Sequence, residues 1–133
     1  MTSQPAAGFT WLELLTVLAI MGVLSSLALP SFQQSQRRSQ RTMAKAALLQ
    51  SAHWMERSVN GSGAYPAALP DALWRRPELQ YSLSVVSDGS RFELQATPLK
   101  TQAGDACGSL TLRSNGERGV QNATLSAAQC WGN

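Results

Sequence analysis

The sequence predicts an α+β fold, in which a long N-terminal α-helix with a membrane-spanning first half packs on a small antiparallel β-sheet of about four strands. Two observations carry this prediction. Residues 9–29 are apolar and continue into a helical pattern, and the C-terminal half alternates polar and apolar residues between turn sequences. With 133 residues, the chain has room for one small domain beside this helix and not for two.

The most apolar stretch runs from Phe9 to Leu29. At a rise of about 1.5 Å per residue its 21 residues are roughly 31 Å long, close to the ~30 Å hydrocarbon core of a bilayer. Glu13 is the only formal charge in this stretch. A carboxylate inside the hydrocarbon costs about 2.5–3.5 kcal/mol, so Glu13 needs a partner or must reach the headgroups.

The helical pattern continues beyond the apolar stretch to about Ser58. Apolar side chains recur there at intervals of three and four residues, and we expect the side that carries Met43, Leu49 and Trp54 to face the sheet. A helix of this length cannot bury its own first half, so that half must be covered by something outside the chain.

Gly22 and Pro30 bound a weak point in this helix. Pro30 removes a backbone donor, and Gly22 costs about 1 kcal/mol of helix stability relative to alanine. The segment between them is expected either to kink or to lose helicity.

The sheet follows a connecting loop. Residues 60–77 are dense in glycine and proline, which predicts the loop. Alternating segments separated by the turn sequences Ser-Asp-Gly-Ser and Asn-Gly then predict two hairpins. The four expected strands are 79–86, 91–98, 109–113 and 118–121.

The N-terminal sequence carries a family resemblance. The run Gly8-Phe9-Thr10-Trp11-Leu12-Glu13, followed by an apolar helix, resembles the class III signal of type IV pilins and related pseudopilins. The resemblance implies that a prepilin peptidase cuts after Gly8 and methylates Phe9. It also implies that Glu13 pairs with the Phe9 amine of a neighbouring subunit, and that the segment between Gly22 and Pro30 loses helicity on assembly.

The same resemblance implies a domain organisation and a location. Residues 1–8 would be a leader peptide, 9–29 a transmembrane and assembly helix, and 30–133 a periplasmic or extracellular head that includes the second half of the helix. The protein would sit in the bacterial inner membrane by a single pass and then enter an extracellular pilus. Its partners would be major and minor pilins, the prepilin peptidase and the inner-membrane assembly machinery.

The C-terminal region resembles one particular type of pilin. Gly-Asp-Ala-Cys at 104–107 and Ala-Ala-Gln-Cys-Trp at 127–131 resemble minor pilins of the PilE type. Cys107 and Cys130 are the only cysteines, and in an exported domain we expect them to form a disulfide that closes the C-terminal loop. A metal site is the alternative, but His53 is the only histidine and lies far away in the sequence.

The charges bear on the choice of function. The net charge is +3, and from Glu56 onward acids and bases balance, so the excess lies on the helix at Arg37, Arg38, Arg41 and Lys45. We interpret those four as a solvated or subunit-facing surface. A minor pilin for pilus biogenesis, adhesion and twitching motility is the leading hypothesis, and a type II secretion pseudopilin is one alternative.

A pilus-tip receptor for DNA uptake is the second alternative. Phosphate contact would use cations clustered on one exposed face, and interspersed acids argue against such a cluster. The candidate residues are Arg75, Arg76, Arg91, Arg113 and Arg118.

An enzyme is not expected. One histidine, no free Cys-His pair and scattered carboxylates supply no converging nucleophile, base or metal ligands, so we expect neither cofactor nor metal.

Overall fold

The computed structural model describes residues 8–132, so the expected leader lies outside the described residues except for Gly8. Its elements follow the predicted α+β order, with three further short elements. They are α1 (Trp11–Ser62), α2 (Asp71–Trp74), β1 (Tyr81–Ser87), β2 (Phe92–Pro98), a 3-10 turn (Lys100–Gln102), β3 (Ser109–Arg113), β4 (Arg118–Gln121) and α3 (Ala127–Trp131). The chain divides into two compact units after Gln36.

The first unit contains the N-terminal part of α1. This helix is long and apolar enough to cross a membrane, judged by length and composition, and none of the side chains in its apolar window is buried. The Thr10 hydroxyl accepts a hydrogen bond from the Glu13 amide at 3.3 Å, which caps the start of the helix. The helix continues through Gly22 and Pro30. Whether the segment between them loses helicity on assembly stays a prediction.

The second unit is built on a four-stranded antiparallel sheet in the order β1-β2-β3-β4. Leu83 pairs with Ala96, and Leu94 pairs with Leu112, so the apolar side chains of neighbouring strands share one face. The predicted strands are confirmed, with β1 beginning at Tyr81 and not at residue 79.

The helix face that packs on the sheet differs from the predicted one. Met43 and Leu49 are 36% and 39% exposed, and Trp54 is only partly buried at the edge of the core. Small side chains occupy three of the five buried positions of α1, whereas the prediction weighted large apolar residues. The buried positions of α1 are Ala44, Ala47, Leu48, Ser51 and Met55.

The C-terminal loop is closed by the expected disulfide between Cys107 and Cys130, both of which are buried. α3 starts with a capping box, in which the Ser126 hydroxyl accepts from the Gln129 amide and the Gln129 side chain accepts from the Ser126 amide. Gly108 has a φ of 51°, and an added Cβ there would lie 2.3 Å from the Gln121 carbonyl oxygen, so only glycine fits beside the disulfide.

Candidate functional site

The N-terminal segment holds the residues to which the sequence assigns processing and assembly. Gly8 and Phe9 precede α1, Phe9 is 81% exposed, and Glu13 lies in the first turn of the helix. Within residues 8–132 no cation forms an ion pair with the Glu13 carboxylate. Any ion-pair partner of Glu13 would therefore come from outside the described residues. Cleavage, methylation and pairing stay predictions.

Two hydroxyl groups of this helix segment form hydrogen bonds within the helix itself. The Thr16 hydroxyl donates to the Leu12 carbonyl oxygen at 2.8 Å, and the Ser26 hydroxyl donates to the Val23 carbonyl oxygen at 2.7 Å. Hydroxyls that bond back to their own helix can enter an apolar environment without an unsatisfied donor. The segment can therefore be buried by lipid or by other helices.

In the second unit, three cations of α1 form what we call the cation row: Arg37, Arg41 and Lys45. They recur every four residues, so they share one helix face. Each binds an oxygen in the C-terminal region. Arg37 Nη1 donates to the Gly104 carbonyl oxygen at 3.4 Å, Arg41 Nε lies 2.9 Å from Asp105 Oδ2, and Lys45 Nζ donates to the Gly132 carbonyl oxygen at 3.0 Å.

Asp105 is the centre of a buried polar network. Its side chain is 2% exposed and pairs with Arg41, whose side chain is 16% exposed. Arg41 pairs with Asp105 by charge, and the hydrogen bonds to Asp105 Oδ2 come from the Tyr81 hydroxyl at 3.2 Å and Gln102 Nε2 at 3.0 Å. Burial raises the pKa of Tyr81 to about 12, because the phenolate would lose its hydration inside the head. The network ties α1 to β1 and to the disulfide loop.

The interpretation of the helix cations as a solvated or subunit-facing surface is therefore wrong for Arg41, which is paired with buried Asp105. Arg37 and Lys45 are partly buried, and their hydrogen bonds to backbone carbonyls lie at the surface of the head. Desolvation by burial, followed by the neighbouring charges of Arg41 and Arg118, lowers the pKa of Lys45. Arg38 alone of the four is exposed. Sequence reasoning missed this role, although the four-residue spacing indicated a common face, because two of the three acceptors are backbone carbonyls.

The arginines considered for DNA binding lie on separate elements. Arg113 on β3 is paired with Glu93 at 2.7 Å and with Glu117 at 3.0 Å. Hydrogen bonds to these two carboxylates raise the pKa of Arg113, and the bond from Arg113 lowers that of Glu117. Arg91 shares a shallow pocket of about 610 Å³ with Arg113, Asp88 and both glutamates, so carboxylates outnumber cations in that pocket.

The loop between α1 and β1 is more open. The Arg75 side chain is 68% exposed, with Nε 3.8 Å from Asp71, and its guanidinium lies 4.9 Å from the centre of the Trp74 ring. Arg76 donates a hydrogen bond to the Gln50 side chain. Arg118, on β4, lies over the Trp131 ring at 5.4 Å. The five arginines thus form no single cluster.

We next compared the described residues with the requirements of a metal site. In the part of the chain that the structure describes, no three His, Cys, Asp or Glu side chains come together as metal ligands. His53 is exposed on α1.

Comparison with known proteins identifies a matching family and similar solved structures. Residues 30–111 match the family model described as type IV minor pilin ComP, DNA uptake sequence receptor. No curated protein matches the chain. The similar solved structures include two pilins. A type IV pilin from Shewanella oneidensis is 30% identical with a TM-score of 0.54, and the match covers 68% of this chain and 98% of the pilin.

The second solved structure is the non-core minor pilin PilV from Neisseria meningitidis, 25% identical with a TM-score of 0.56. That match covers 70% of this chain and 94% of PilV. The long helix, the four-stranded sheet and the C-terminal disulfide agree with these matches. Because the family model matches more than half of the sequence, the chain belongs to the family of type IV minor pilins.

Proposed function

We propose that this minor pilin is cut after Gly8, methylated at Phe9 and held in the bacterial inner membrane by residues 9–29. From there it enters an extracellular type IV pilus, in which Glu13 pairs with the Phe9 amine of a neighbouring subunit. One observation carries the proposal: the exposed apolar half of α1 holds a single charge that has no ion-pair partner among residues 8–132.

The pairing has a physical reason. Cleavage after Gly8 would create an α-amino group at Phe9, and this cation lies about 6 Å along the axis from Glu13 of its own helix. A neighbouring copy that is shifted along a filament can bring its amine closer. Opposite charges attract strongly in a low-dielectric core, but desolvation offsets much of that gain, so the pair acts chiefly to set the axial register.

The proposal makes Glu13 necessary for assembly and dispensable for membrane insertion. Removing one member of a buried ion pair costs about 3–5 kcal/mol, so Glu13→Val and Glu13→Gln should both insert, be processed, and fail to enter pili. Thr16→Val, a change of similar size in the same segment that removes no charge, is the matched control and should assemble.

The measurement is the amount of each variant in sheared pili relative to membranes, with the mature N-terminus sequenced in parallel. Wild-type amounts of processed Glu13→Val in pili would contradict the pairing. An intact Met1, or a cut after Ala28, would contradict the processing step.

A second candidate function is DNA binding by the head. The matching family model is described as a DNA uptake sequence receptor, and the loop between α1 and β1 presents an exposed arginine beside an exposed tryptophan. Stacking and phosphate contact both suit such a pair of side chains. A secretion pseudopilin gains no such support, since the matches described above are to type IV pilins.

The structure also decides which arginines test this candidate. Arg75→Ala with Arg76→Ala should weaken duplex binding and lower the salt slope of the binding constant by up to about 2. Arg113→Ala should not weaken it, because Arg113 is neutralised by two glutamates. Binding only in the millimolar range at physiological salt, unchanged by the double substitution, would eliminate the receptor function.

A further inference from the structure

Two aromatic side chains mark the ends of the apolar half of α1. Trp11 is the first residue of the helix and is 81% exposed, and Phe32 is 62% exposed. The 21 helical steps from Trp11 to Phe32 correspond to about 32 Å of helix, which matches the ~30 Å hydrocarbon thickness of a bilayer. The aromatic residues therefore lie where the two faces of a membrane would be.

Trp11 differs in its hydrogen bonding from Trp74 and Trp131, while the Trp54 indole, which packs against the core, likewise donates no hydrogen bond within residues 8–132. The indole N–H of Trp74 donates to Asp71 Oδ1 at 3.1 Å, and that of Trp131 donates to the Gly119 carbonyl oxygen at 2.9 Å. Within residues 8–132 the Trp11 indole makes no hydrogen bond. A large apolar ring with a free N–H suits the membrane–water interface, where the ring contacts acyl chains and the N–H reaches the headgroups.

We propose that Trp11 is an interfacial anchor. It binds the headgroup boundary of the leaflet at the N-terminal end of α1 and fixes how deeply the helix sits in the membrane. The lipid groups that it fits are the ester carbonyls and phosphates at that boundary, which accept the indole N–H. The inference rests on the proposed function, in which the first half of α1 spans the membrane.

The anchor has a consequence for Glu13, which lies two residues further along the helix. It is only about 3 Å deeper than Trp11 and, at about 100° per residue, it points about 200° away around the axis. Trp11 can therefore face lipid while Glu13 faces a neighbouring subunit. The same depth keeps the Glu13 carboxylate near water until that subunit arrives.

The test uses the full chain in phosphatidylcholine vesicles whose acyl chains carry bromine at a shallow, a middle or a deep position. Bromine quenches nearby tryptophans only, so the three head tryptophans contribute a constant background. We expect the shallow bromine to quench most, and Trp11→Phe to abolish the quenching. Quenching that is greatest for the deep bromine, or absent in a chain that floats with the vesicles, would overturn the anchor.

A second variant separates an anchor from a passive side chain. Trp11→Leu with Leu15→Trp moves the indole about 6 Å along the helix, by one turn. If the indole fixes the depth, the helix shifts and the shallow bromine still quenches most. If the strongest quenching moves to a deeper bromine, the anchor is refuted. A chain that does not float with vesicles at all would overturn the membrane placement itself, and this inference with it.

Discussion

Replacing Asp105 with alanine should destabilise the head more than any surface substitution. The Asp105 carboxylate is 2% exposed and lies 2.9 Å from Arg41 Nε, while Tyr81 and Gln102 donate hydrogen bonds to it. The substitution leaves the Arg41 charge without its partner in a site where the arginine side chain is only 16% exposed. Breaking a buried pair in this way costs about 3–5 kcal/mol.

The lower end of that range applies, because the partial exposure of Arg41 lets water reach its guanidinium. A loss of about 3 kcal/mol lowers the melting temperature of a domain of this size by about 12–24 °C. Thermal unfolding of the detergent-solubilised chain, followed by near-ultraviolet circular dichroism, reports on the packed aromatic residues of the head. Glu78→Ala, at an exposed carboxylate, is the control and should change the stability by less than about 0.5 kcal/mol.

A double-mutant cycle distinguishes the ion pair from simple loss of packing. Arg41→Met with Asp105→Leu should be less destabilising than the sum of its two single substitutions, since an apolar pair carries no uncompensated charge. The reasoning is refuted if Asp105→Ala costs no more than Glu78→Ala, or if the two single effects simply add.

Three further predictions concern the head. Cys107→Ser with Cys130→Ser opens a loop of about 24 residues and should cost about 3–3.5 kcal/mol in urea unfolding, and an unchanged midpoint would contradict it. Since Tyr81 has its pKa raised to about 12, folding stability should be intact below about pH 10, where unfolded tyrosine ionises, and fall as the pH rises towards 12. Tyr81→Phe should weaken that fall, and an identical alkaline profile would refute the assignment. Gly108→Ala should be more destabilising than Gly116→Ala, because both have positive φ but only at Gly108 would a Cβ meet backbone atoms, so equal melting temperatures would be inconsistent with the geometry.

Much of the architecture could be predicted from the sequence because it follows from local patterns. Alternation of apolar residues and the Asn-Gly turn determine the strands, and the apolar run determines the first half of α1. The face of α1 against the sheet could not be predicted in this way. Ala44, Leu48 and Ser51 are buried while Leu49 is 39% exposed, because the core covers one strip of the helix and Leu49 lies beside that strip, where hydrophobicity alone does not reveal its position.

The candidate site likewise contains one part that the sequence predicts and one part that it does not. Gly8, Phe9 and Glu13 form a contiguous signal that sequence alone reveals, although their roles stay predictions. The cation row was visible only as charge, because its acceptors at Gly104 and Gly132 are backbone carbonyls that any residue can supply. Hydrogen bonds to backbone carbonyls cannot be inferred from the residue types. They can be identified only in the folded structure.

The contacts that fasten the head to α1 are spread along the helix. They begin at Arg37 and reach Met55, an interval of 18 residues or about 27 Å. A pull along the axis of α1 would load these contacts together in shear. Under such a load the contacts share the force, so they do not break one after another from one end of the helix. The disulfide joins the two segments that the cation row binds, because Cys107 lies two residues after Asp105 and Cys130 lies two residues before Gly132. The head should therefore stay attached to this part of α1 when the helix is pulled along its axis.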